Sequence, residues 1–199
     1  MRKKIPEKAI LRPNKKTGRP ESGSSLQAQK HIRPSWDEYF MSIAEIVGSR
    51  ATCDRGRSGC VIVKDKRVLV SGYVGSPVGL PHCDEVGHEM HKVTHEDGSE
   101  THHCIRTIHA EQNAVAQAAR MGISLDGSTV YCKMVPCYTC AKILMNAGIM
   151  RIVAAKDYQA SSQSKKIFKE GGIILDILNP EVEAYPEPKS QTKSKAKSV

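Results

Sequence analysis

Hydrophobic and polar positions alternate along this chain with two different periods, and the two periods predict different elements. Apolar residues recur at helical spacing over 35–50, with acidic residues in the first turn, so we expect an amphipathic helix there. The segment GCVIVKDKRVLVSGYV, residues 59–74, contains two β-branched runs on either side of the polar stretch Lys64–Arg67. This pattern predicts a β-hairpin.

A second periodic region follows residues 75–106, which show little periodicity but many cysteines and histidines. Three further helices are expected, at Ala110–Met121, Cys137–Ala147 and Ser162–Glu170. Three further strands are expected, at Thr129–Lys133, Ile149–Ala155 and Gly172–Leu178. Strands that alternate with helices predict an α/β fold in which helices flank a mixed sheet.

The net charge of +9, from 30 Lys and Arg against 21 Asp and Glu, would by itself suggest nucleic-acid binding. The location of the charge changes this picture, because residues 1–35 carry a net +8 and residues 179–199 a net +1, which leaves the middle neutral. Both terminal segments are rich in Lys, Pro and Ser. We therefore predict a disordered basic arm over 1–34, a folded domain over 35–178 and a disordered tail over 179–199, with nucleic-acid contact expected only through the arm.

The chain has no apolar run near the ~20 residues that a membrane helix requires. Its opening, MRKKIPEKAILRPNKK, lacks the apolar stretch of a signal peptide, so we expect a cytoplasmic protein without a membrane partner. In that reducing environment seven cysteines indicate metal binding or catalysis rather than disulfides.

The sharpest chemical signal is His109-Ala110-Glu111, followed 25 residues later by a Pro-Cys-x-x-Cys motif that contains Cys137 and Cys140. Two cysteines three apart in the first turn of a helix point to one side of it, and the helix dipole favours their thiolates. With the histidine they make three ligands, which leave a fourth tetrahedral position to water, as is typical of a catalytic zinc site. Glu111 is then expected to move protons.

The segments HAEQNAVAQAA, PCYTCAKILMNAGI and SGYVGSPVGLPHC together resemble the deoxycytidylate (dCMP) deaminase family of zinc-dependent cytidine/deoxycytidylate deaminases, which includes late-competence deaminase-like proteins. The resemblance covers about residues 36–160. It implies a cytidine-deaminase-like three-layer α/β/α fold with a mixed central sheet of about five strands. It also implies deamination of dCMP to dUMP for dTMP supply, by attack of a zinc-bound hydroxide on cytosine C4 with Glu111 as proton shuttle.

The Cys- and His-rich insertion over 75–106 favours this family over tRNA adenosine deaminases, in which the corresponding stretch is short. The resemblance implies a second, structural zinc bound by Cys53, Cys83, His88 and Cys104. Other histidines are equally capable ligands by type, namely His82, His91, His95, His102 and His103. The remaining cysteines, Cys60 and Cys132, are expected to be small core residues.

The loop over 72–77 resembles the family's loop beneath the nucleotide, where glycines allow close backbone approach. The usual residue at position 74 is Asn, which hydrogen-bonds the sugar, and Val74 cannot do so. Either another side chain binds the 3′-hydroxyl or the substrate preference differs, for example towards dCTP or a modified cytosine nucleotide. The substrate contacts that we expect are Gly75, Ser76, Ala110, Asn113, Arg106, Arg120 and Tyr158.

The resemblance further implies a homo-oligomer, a hexamer, with dCTP as activator, dTTP as inhibitor and Mg²⁺ on the triphosphate. Two other functions stay open at this point. One is a polynucleotide deaminase that acts on tRNA or single-stranded nucleic acid and is recruited by the basic arm, in which case deletion of residues 1–34 abolishes activity. The other is a non-catalytic, zinc-stabilised DNA-uptake or DNA-binding protein, in which case a Glu111→Ala variant keeps its biological role.

Overall fold

A computed structural model of the chain describes residues 32–94 and 100–183. His95, most of the predicted arm and most of the predicted tail lie outside the described residues. The chain divides into two units, Met1–Arg33 and Pro34–Val199, and the fold is that of the second unit.

The described part of the second unit contains five α-helices and seven β-strands. The helices are α1 (Trp36–Gly48), α2 (Cys83–Val86), α3 (Ala110–Met121), α4 (Tyr138–Asn146) and α5 (Ser162–Glu170). The strands are β1 (Gly59–Lys64), β2 (Arg67–Tyr73), β3 (Met90–Thr94), β4 (Glu100–Cys104), β5 (Thr129–Met134), β6 (Arg151–Tyr158) and β7 (Ile174–Glu183). A 3-10 turn, Asp54–Gly56, precedes β1. None of the helices described has the length and apolar character needed to cross a membrane.

Five of the strands form one sheet in the order β2-β1-β5-β6-β7. The β2–β1 and β1–β5 pairs are antiparallel, whereas β5–β6 and β6–β7 are parallel. Phe40 and Ala44 of α1 pack against Val61 and Val153 on one face. Helices α3, α4 and α5 cover the other face through Ala114, Leu144 and Phe168. This arrangement confirms the predicted three-layer α/β/α fold with a mixed five-stranded sheet.

Two regions contain more regular structure than the pattern of residues predicted. The insertion folds into α2 and a separate two-stranded sheet of β3 and β4. Strand β7 continues to Glu183, five residues beyond the expected end at Leu178 and into the segment expected to be the tail. Its extension pairs with β6, with Val182 opposite Asp157 after a register shift. Pairing with a neighbouring strand satisfies backbone groups whatever the local composition, which explains both differences.

The close approach of β2 to α3 depends on Gly72. A Cβ atom at this position would lie 2.3 Å from the Ala110 carbonyl oxygen and 2.5 Å from the Ala114 nitrogen. Only a residue without a side chain lets the strand lie directly under the first turn of α3. That turn carries Glu111, so the glycine helps to position the candidate site.

A charged network ties α1 to three strands of the sheet. The Asp37 carboxylate accepts hydrogen bonds from Arg151 Nη1 and Nη2 at 2.9 and 2.8 Å and from the Tyr131 hydroxyl at 2.7 Å. Arg151 Nε also donates to Asp176 Oδ2 at 2.8 Å. The hydrogen bonds from Arg151 lower the pKa of Asp37, although partial burial opposes them.

We expect Asp37→Asn to lower the free energy of unfolding at pH 7 by on the order of 1 kcal/mol, because Arg151 loses a charged acceptor on a half-exposed surface. The pKa of Asp37 is lower in the folded state than its ordinary value of 3.8. Its contribution to the free energy of unfolding is therefore complete above pH 3.8 and is lost as the pH falls through the lower pKa of the folded state. Urea unfolding of wild type and variant at pH 7 and at the lowest pH at which the fold persists measures this. The exposed Glu45→Gln on the same helix is the control, and an equal loss at both pH values would contradict the assignment.

Candidate metal centre and active site

Three metal-ligating side chains meet where α3 and α4 begin. His109 is the N-cap of α3, Cys137 is the N-cap of α4, and Cys140 lies in the first turn of α4. The His109 Nδ1 atom lies 3.5 Å from Cys137 Sγ and 3.4 Å from Cys140 Sγ. Two ligand atoms on one tetrahedral zinc lie about 3.6 Å apart when the zinc–nitrogen and zinc–sulfur bonds have their usual lengths. The three side chains therefore fit one zinc ion, with a fourth position left to a non-protein ligand.

The electrostatics of this cluster also suit a cation. Hydrogen bonds from Cys140 and His109 lower the pKa of Cys137 to about 4, against the opposing effect of burial. The hydrogen bond with Cys137 in turn raises the pKa of His109 to about 9. A thiolate is thus stable here when a positive group lies beside it, which is the condition that a bound zinc ion satisfies.

Glu111 lies in the first turn of α3 and is 7% exposed. Burial raises the pKa of its carboxyl group, and the neighbouring His109 opposes that effect. Within the described residues Glu111 is the one buried carboxylate. A carboxyl group held in this way is protonated more readily than an exposed one, which suits a residue that must both accept and return a proton.

A second cluster joins the insertion to the turn before β1. It consists of Cys53, Cys83, His88 and Cys104, whose ligand atoms all lie within 4.8 Å of one another. The Cys83 and Cys104 sulfurs are 3.6 Å apart, and Cys53 Sγ is 3.6 Å from His88 Nδ1. Both distances suit a tetrahedral zinc and are far longer than a disulfide bond. Four protein ligands would close the coordination shell, as in a structural site.

The environment of His88 supports this ligand geometry. Its Nε2 atom lies 2.8 Å from Asp54 Oδ1, which leaves Nδ1 facing the sulfurs. The other candidate histidines within the described ranges, His82, His91, His102 and His103, belong to neither cluster. Cys60 and Cys132 face each other on β1 and β5, are 0% exposed, and have pKa values raised by burial, as expected of core residues.

One cleft of about 710 Å³, counting space open to solvent, contains residues of both clusters. Of the predicted residues, those that line it are His109, Ala110, Glu111, Cys137, Tyr158, Cys53 and Cys104. The cleft also contains residues that the sequence analysis did not propose as contacts, namely Arg55, Gly56, Ser58, Val74, His102, His103, Thr107, Met134, Val135 and Pro136. Sequence position could have identified three of these lining residues. Arg55 lies two residues after the expected zinc ligand Cys53, and His102 and His103 directly precede the expected ligand Cys104.

The remaining expected contacts have other positions in the part of the chain that the structure describes. Gly75 pairs through its backbone with Ile108, and the Ser76 hydroxyl is buried without a hydrogen-bond partner among described residues. Asn113 Nδ2 donates to the Tyr73 carbonyl oxygen at 3.0 Å. None of these three residues lines the cleft, so their contact with substrate stays a prediction.

The two expected arginines also lie away from the cleft lining. Arg106 Nε donates to the Gly87 carbonyl oxygen at 3.2 Å, and its Nη2 lies 3.6 Å from Glu89. Arg120 is exposed in the last turn of α3. Arg106 therefore ties together parts of the insertion, and neither residue faces the cleft that contains Glu111.

Known proteins provide an independent comparison. Residues 34–156 match the family described as the cytidine and deoxycytidylate deaminase zinc-binding region. ComE operon protein 2 of Bacillus subtilis is 37% identical over 144 residues, which cover 72% of this chain and 71% of that protein. The deoxycytidylate deaminase of Saccharomyces cerevisiae is also 37% identical over 144 residues, which cover 72% of this chain but only 45% of that enzyme.

A solved structure agrees with the sequence matches. The dCMP deaminase of cyanophage S-TIM5, crystallised in complex with dCMP and dUMP, has a TM-score of 0.59 and 28% identity to this chain. The match covers 74% of this chain and 99% of the phage protein. The chain therefore belongs to the cytidine and deoxycytidylate deaminase family, whose zinc-binding region contains His109, Glu111, Cys137 and Cys140 of this sequence.

Proposed function

We propose that this protein is a zinc-dependent hydrolase that converts dCMP and water to dUMP and ammonia. The observation that carries the proposal is the placement of a buried carboxyl group, Glu111, in one cleft with His109 and Cys137 of a three-ligand zinc set. The yeast relative is named a deoxycytidylate deaminase, and the phage protein was crystallised with the nucleotide substrate and product of that reaction.

His109, Cys137 and Cys140 would hold the zinc ion. When bound, zinc supplies Lewis acidity that brings the pKa of a water molecule at its open position towards neutrality. Glu111 is then the group that moves both protons of the water in turn, passing the first to the cytosine ring nitrogen and the second to the departing amine, which leaves as ammonia. Its burial favours the protonated form, so the carboxyl group can keep the proton between the two transfers.

Val74 would contact the sugar through its methyl groups. Its backbone is already engaged, since its N–H donates to the Ser58 carbonyl at 3.0 Å and its carbonyl accepts from the Thr52 N–H at 3.1 Å. The side chain therefore offers apolar contact where an asparagine would offer hydrogen bonds. A polar group elsewhere in the cleft, such as the buried Ser58, would have to bind the 3′-hydroxyl.

We also propose that Cys53, Cys83, His88 and Cys104 bind a second zinc ion. The proposal is supported by their mutual distances and by the contact of His88 with Asp54. We expect Cys83→Ala to remove one zinc per chain and to lower Tm by on the order of 10 °C, because a four-ligand site holds three separate segments together. Mass spectrometry of the metal and thermal unfolding measure the two effects.

Cys60→Ala is the matched control, since Cys60 is equally buried but belongs to neither cluster. It should keep both zinc ions and lose only the few degrees that a small core cavity costs. If Cys83→Ala retained two zinc ions, the ligand assignment would be wrong.

The other implied properties stay predictions. They are the homohexamer, activation by dCTP, inhibition by dTTP and Mg²⁺ on the triphosphate. We also expect the enzyme to act in the cytoplasm, where thiols remain reduced, and all seven of its cysteines are free of disulfides.

The proposed activity is tested by incubating the zinc-loaded protein with dCMP and measuring dUMP by chromatography and ammonia by a coupled assay. We expect the two products in a 1:1 ratio, with loss of both after treatment with a chelator. A protein that retains its zinc and its fold but forms no dUMP would overturn the proposal.

A further inference from the structure

The start of α1 exposes two aromatic side chains that form a corner. Trp36, the single tryptophan of the chain, is 51% exposed, and Tyr39 is 46% exposed. Their ring centroids lie 5.9 Å apart, with an angle of 84° between the ring planes. The buried Phe40 stacks on Trp36, with centroids 5.6 Å apart and planes at 20°, and so restricts the orientation of the indole. This aromatic corner is held in place without being covered.

A lysine lies over the exposed indole. The turn between β1 and β2 places Lys66 Nζ 5.3 Å from the centroid of the Trp36 ring, which is a cation–π contact. Asp65 and Lys66, at the centre of this turn, both have a left-handed backbone, with φ of 50° and 60°. Glycine and asparagine are favoured at such positions, because a larger side chain disfavours this conformation. The chain therefore places a positive charge beside Trp36 at a cost in backbone conformation.

The aromatic corner borders a groove at the end of the sheet where β5 and β6 begin. Trp36, Lys66 and the neighbouring Lys64 line this groove, together with Thr129 at the start of β5. The first zinc-ligand cluster lies at the other end of the strands, since Cys137 follows the carboxyl end of β5. A ligand of the groove would therefore leave the candidate active site open.

The carboxylates near the groove are engaged or screened by solvent. Asp37 accepts the hydrogen bonds of Arg151 described above, and Glu38 Oε2 accepts a hydrogen bond from the Ser35 backbone N–H at 2.7 Å. Asp65 is exposed on the turn, where water and salt weaken its field. The folded surface here is thus nearly balanced in charge, and its distinctive feature is a pair of exposed rings.

Positive charge comes from the segment that leads into α1. The predicted basic arm, residues 1–34, carries a net +8 and ends two residues before Trp36. Proteins that bind single-stranded nucleic acid without sequence preference combine positive charge, which attracts phosphates, with aromatic rings on which unpaired bases stack. The arm and the aromatic corner supply these two parts in one continuous stretch of chain. A duplex keeps its bases paired inside the helix, so it could use the charge but not the rings.

We propose that Trp36 and Tyr39 stack unpaired bases and that this surface, with the basic arm, binds single-stranded nucleic acid. A base that stacks on the indole takes the place of Lys66, whose charge is then available to a phosphate of the same strand. The strand is a ligand of this surface and is not deaminated there. The inference therefore goes beyond the proposed deaminase activity and does not depend on it.

An anionic membrane is the other partner to which a basic segment and an exposed indole can bind. The aromatic corner fits a membrane less well, because the exposed carboxylates of Glu38 and Asp65 lie beside the rings. A flat bilayer surface would approach these like charges together with the rings, whereas a flexible strand can place a base against each ring alone. Anionic vesicles are therefore included in the test.

The single tryptophan makes the test direct, because a base that stacks on an indole quenches its fluorescence. An oligodeoxythymidylate of about 20 nucleotides, longer than the usual site of one single-strand-binding fold, is titrated into the zinc-loaded full-length protein. We expect saturable quenching of Trp36. A duplex of the same length, and heparin, a polyanion without bases, should bind the arm with little quenching. An oligouridylate shows whether RNA is preferred to DNA, and quenching by either strand supports the proposal.

Trp36→Ala should weaken binding of a labelled oligodeoxythymidylate, measured by fluorescence anisotropy, by about 5- to 100-fold, the effect of losing one stacked base. Trp36→Phe should restore part of that affinity, because phenylalanine retains an aromatic face. Ile46→Ala is the matched control, since Ile46 is an exposed apolar residue of the same helix that lies outside the groove. The control should bind as the wild type does, and all three variants should keep their affinity for heparin.

Lys66→Gly keeps the test decisive if Trp36→Ala fails to fold, because glycine suits the left-handed turn. Its plot of log K against log salt concentration should be shallower by about 0.7, which corresponds to one lost phosphate contact on a single strand. Equal quenching by heparin, unchanged affinity of Trp36→Ala, or unchanged salt dependence of Lys66→Gly would overturn the proposal. Quenching by phosphatidylserine vesicles without quenching by either strand would also overturn it. Absence of dCMP turnover would refute the proposed function and leave this inference intact.

Discussion

Replacing Glu111 with glutamine is expected to lower kcat for dCMP by about 10²- to 10⁴-fold, the usual contribution of a general acid and base. Glutamine has nearly the same shape as glutamate, but it cannot accept a proton from water or return one to the leaving amine. The zinc content should remain unchanged, because Glu111 is not one of the three donors in the first cluster. Steady-state kinetics and metal analysis of the same preparation measure both properties.

The exposed Glu170→Gln at the end of α5 is the control for loss of one carboxylate, and it should retain wild-type kinetics. The burial of Glu111 makes a further comparison necessary, because any change at a buried position can disturb folding. A Tm within a few degrees of wild type would show that the fold survives. A Glu111→Gln variant with normal kcat would eliminate Glu111 as the proton-transfer group.

The second large effect is expected when a ligand is removed from the first cluster, which consists of His109, Cys137 and Cys140. Cys140→Ala should lose one zinc per chain, and deamination should fall by roughly 10³-fold or more, because several kcal/mol of transition-state stabilisation depend on the metal. Cys132→Ala is a close match, since both cysteines are 0% exposed and only Cys140 belongs to the cluster. The control should keep its zinc and most of its activity, with a modest loss of stability from the cavity.

Metal analysis decides this comparison. Loss of zinc in Cys132→Ala as well would indicate that the metal depends on core packing rather than on particular ligands. Retention of zinc and activity in Cys140→Ala would contradict the assignment of the first cluster. Because Cys83→Ala and Cys140→Ala remove ligands from different clusters, the double variant should bind no zinc.

The parts of the fold that the sequence predicted best are those with strong local signals. Helices α3 and α5 have the predicted bounds, Ala110–Met121 and Ser162–Glu170. Gly122, with a φ of 68°, ends α3 in the left-handed conformation that favours glycine. The turn between β1 and β2 also falls where the polar stretch Lys64–Arg67 indicated. Each signal depends on residues adjacent in the chain.

The parts that could not be predicted depend on partners distant in the chain. Residues beyond Leu178 form a strand because β6 provides hydrogen-bond partners, and nothing in their composition requires this. Arg55 joins the cleft because β4 folds back beside the 3-10 turn, 47 residues away along the chain. Arg106 was one of the expected substrate contacts, yet its side chain contacts Gly87 and Glu89.

The candidate site likewise has features that local sequence predicts and contacts that depend on residues distant in the chain. The ligand types and spacing around His109, Cys137 and Cys140 follow from a motif, and their distances suit zinc. His88 was named by the resemblance to the family, while other histidines of the insertion were equally capable ligands by type. The structure brings its Nδ1 to Cys53 and its Nε2 to Asp54, a contact between distant segments that residue type and spacing could not predict.

The most direct test of the central claim compares substrates in one assay. Initial rates of ammonia release should be measured for dCMP, dCTP, cytidine and a tRNA anticodon stem with the zinc-loaded full-length protein. We predict the highest kcat/KM for dCMP and rates at the level of the Glu111→Gln variant for the tRNA stem. Absence of dCMP turnover while any of the other three substrates reacts would contradict the assignment of this chain as a dCMP deaminase.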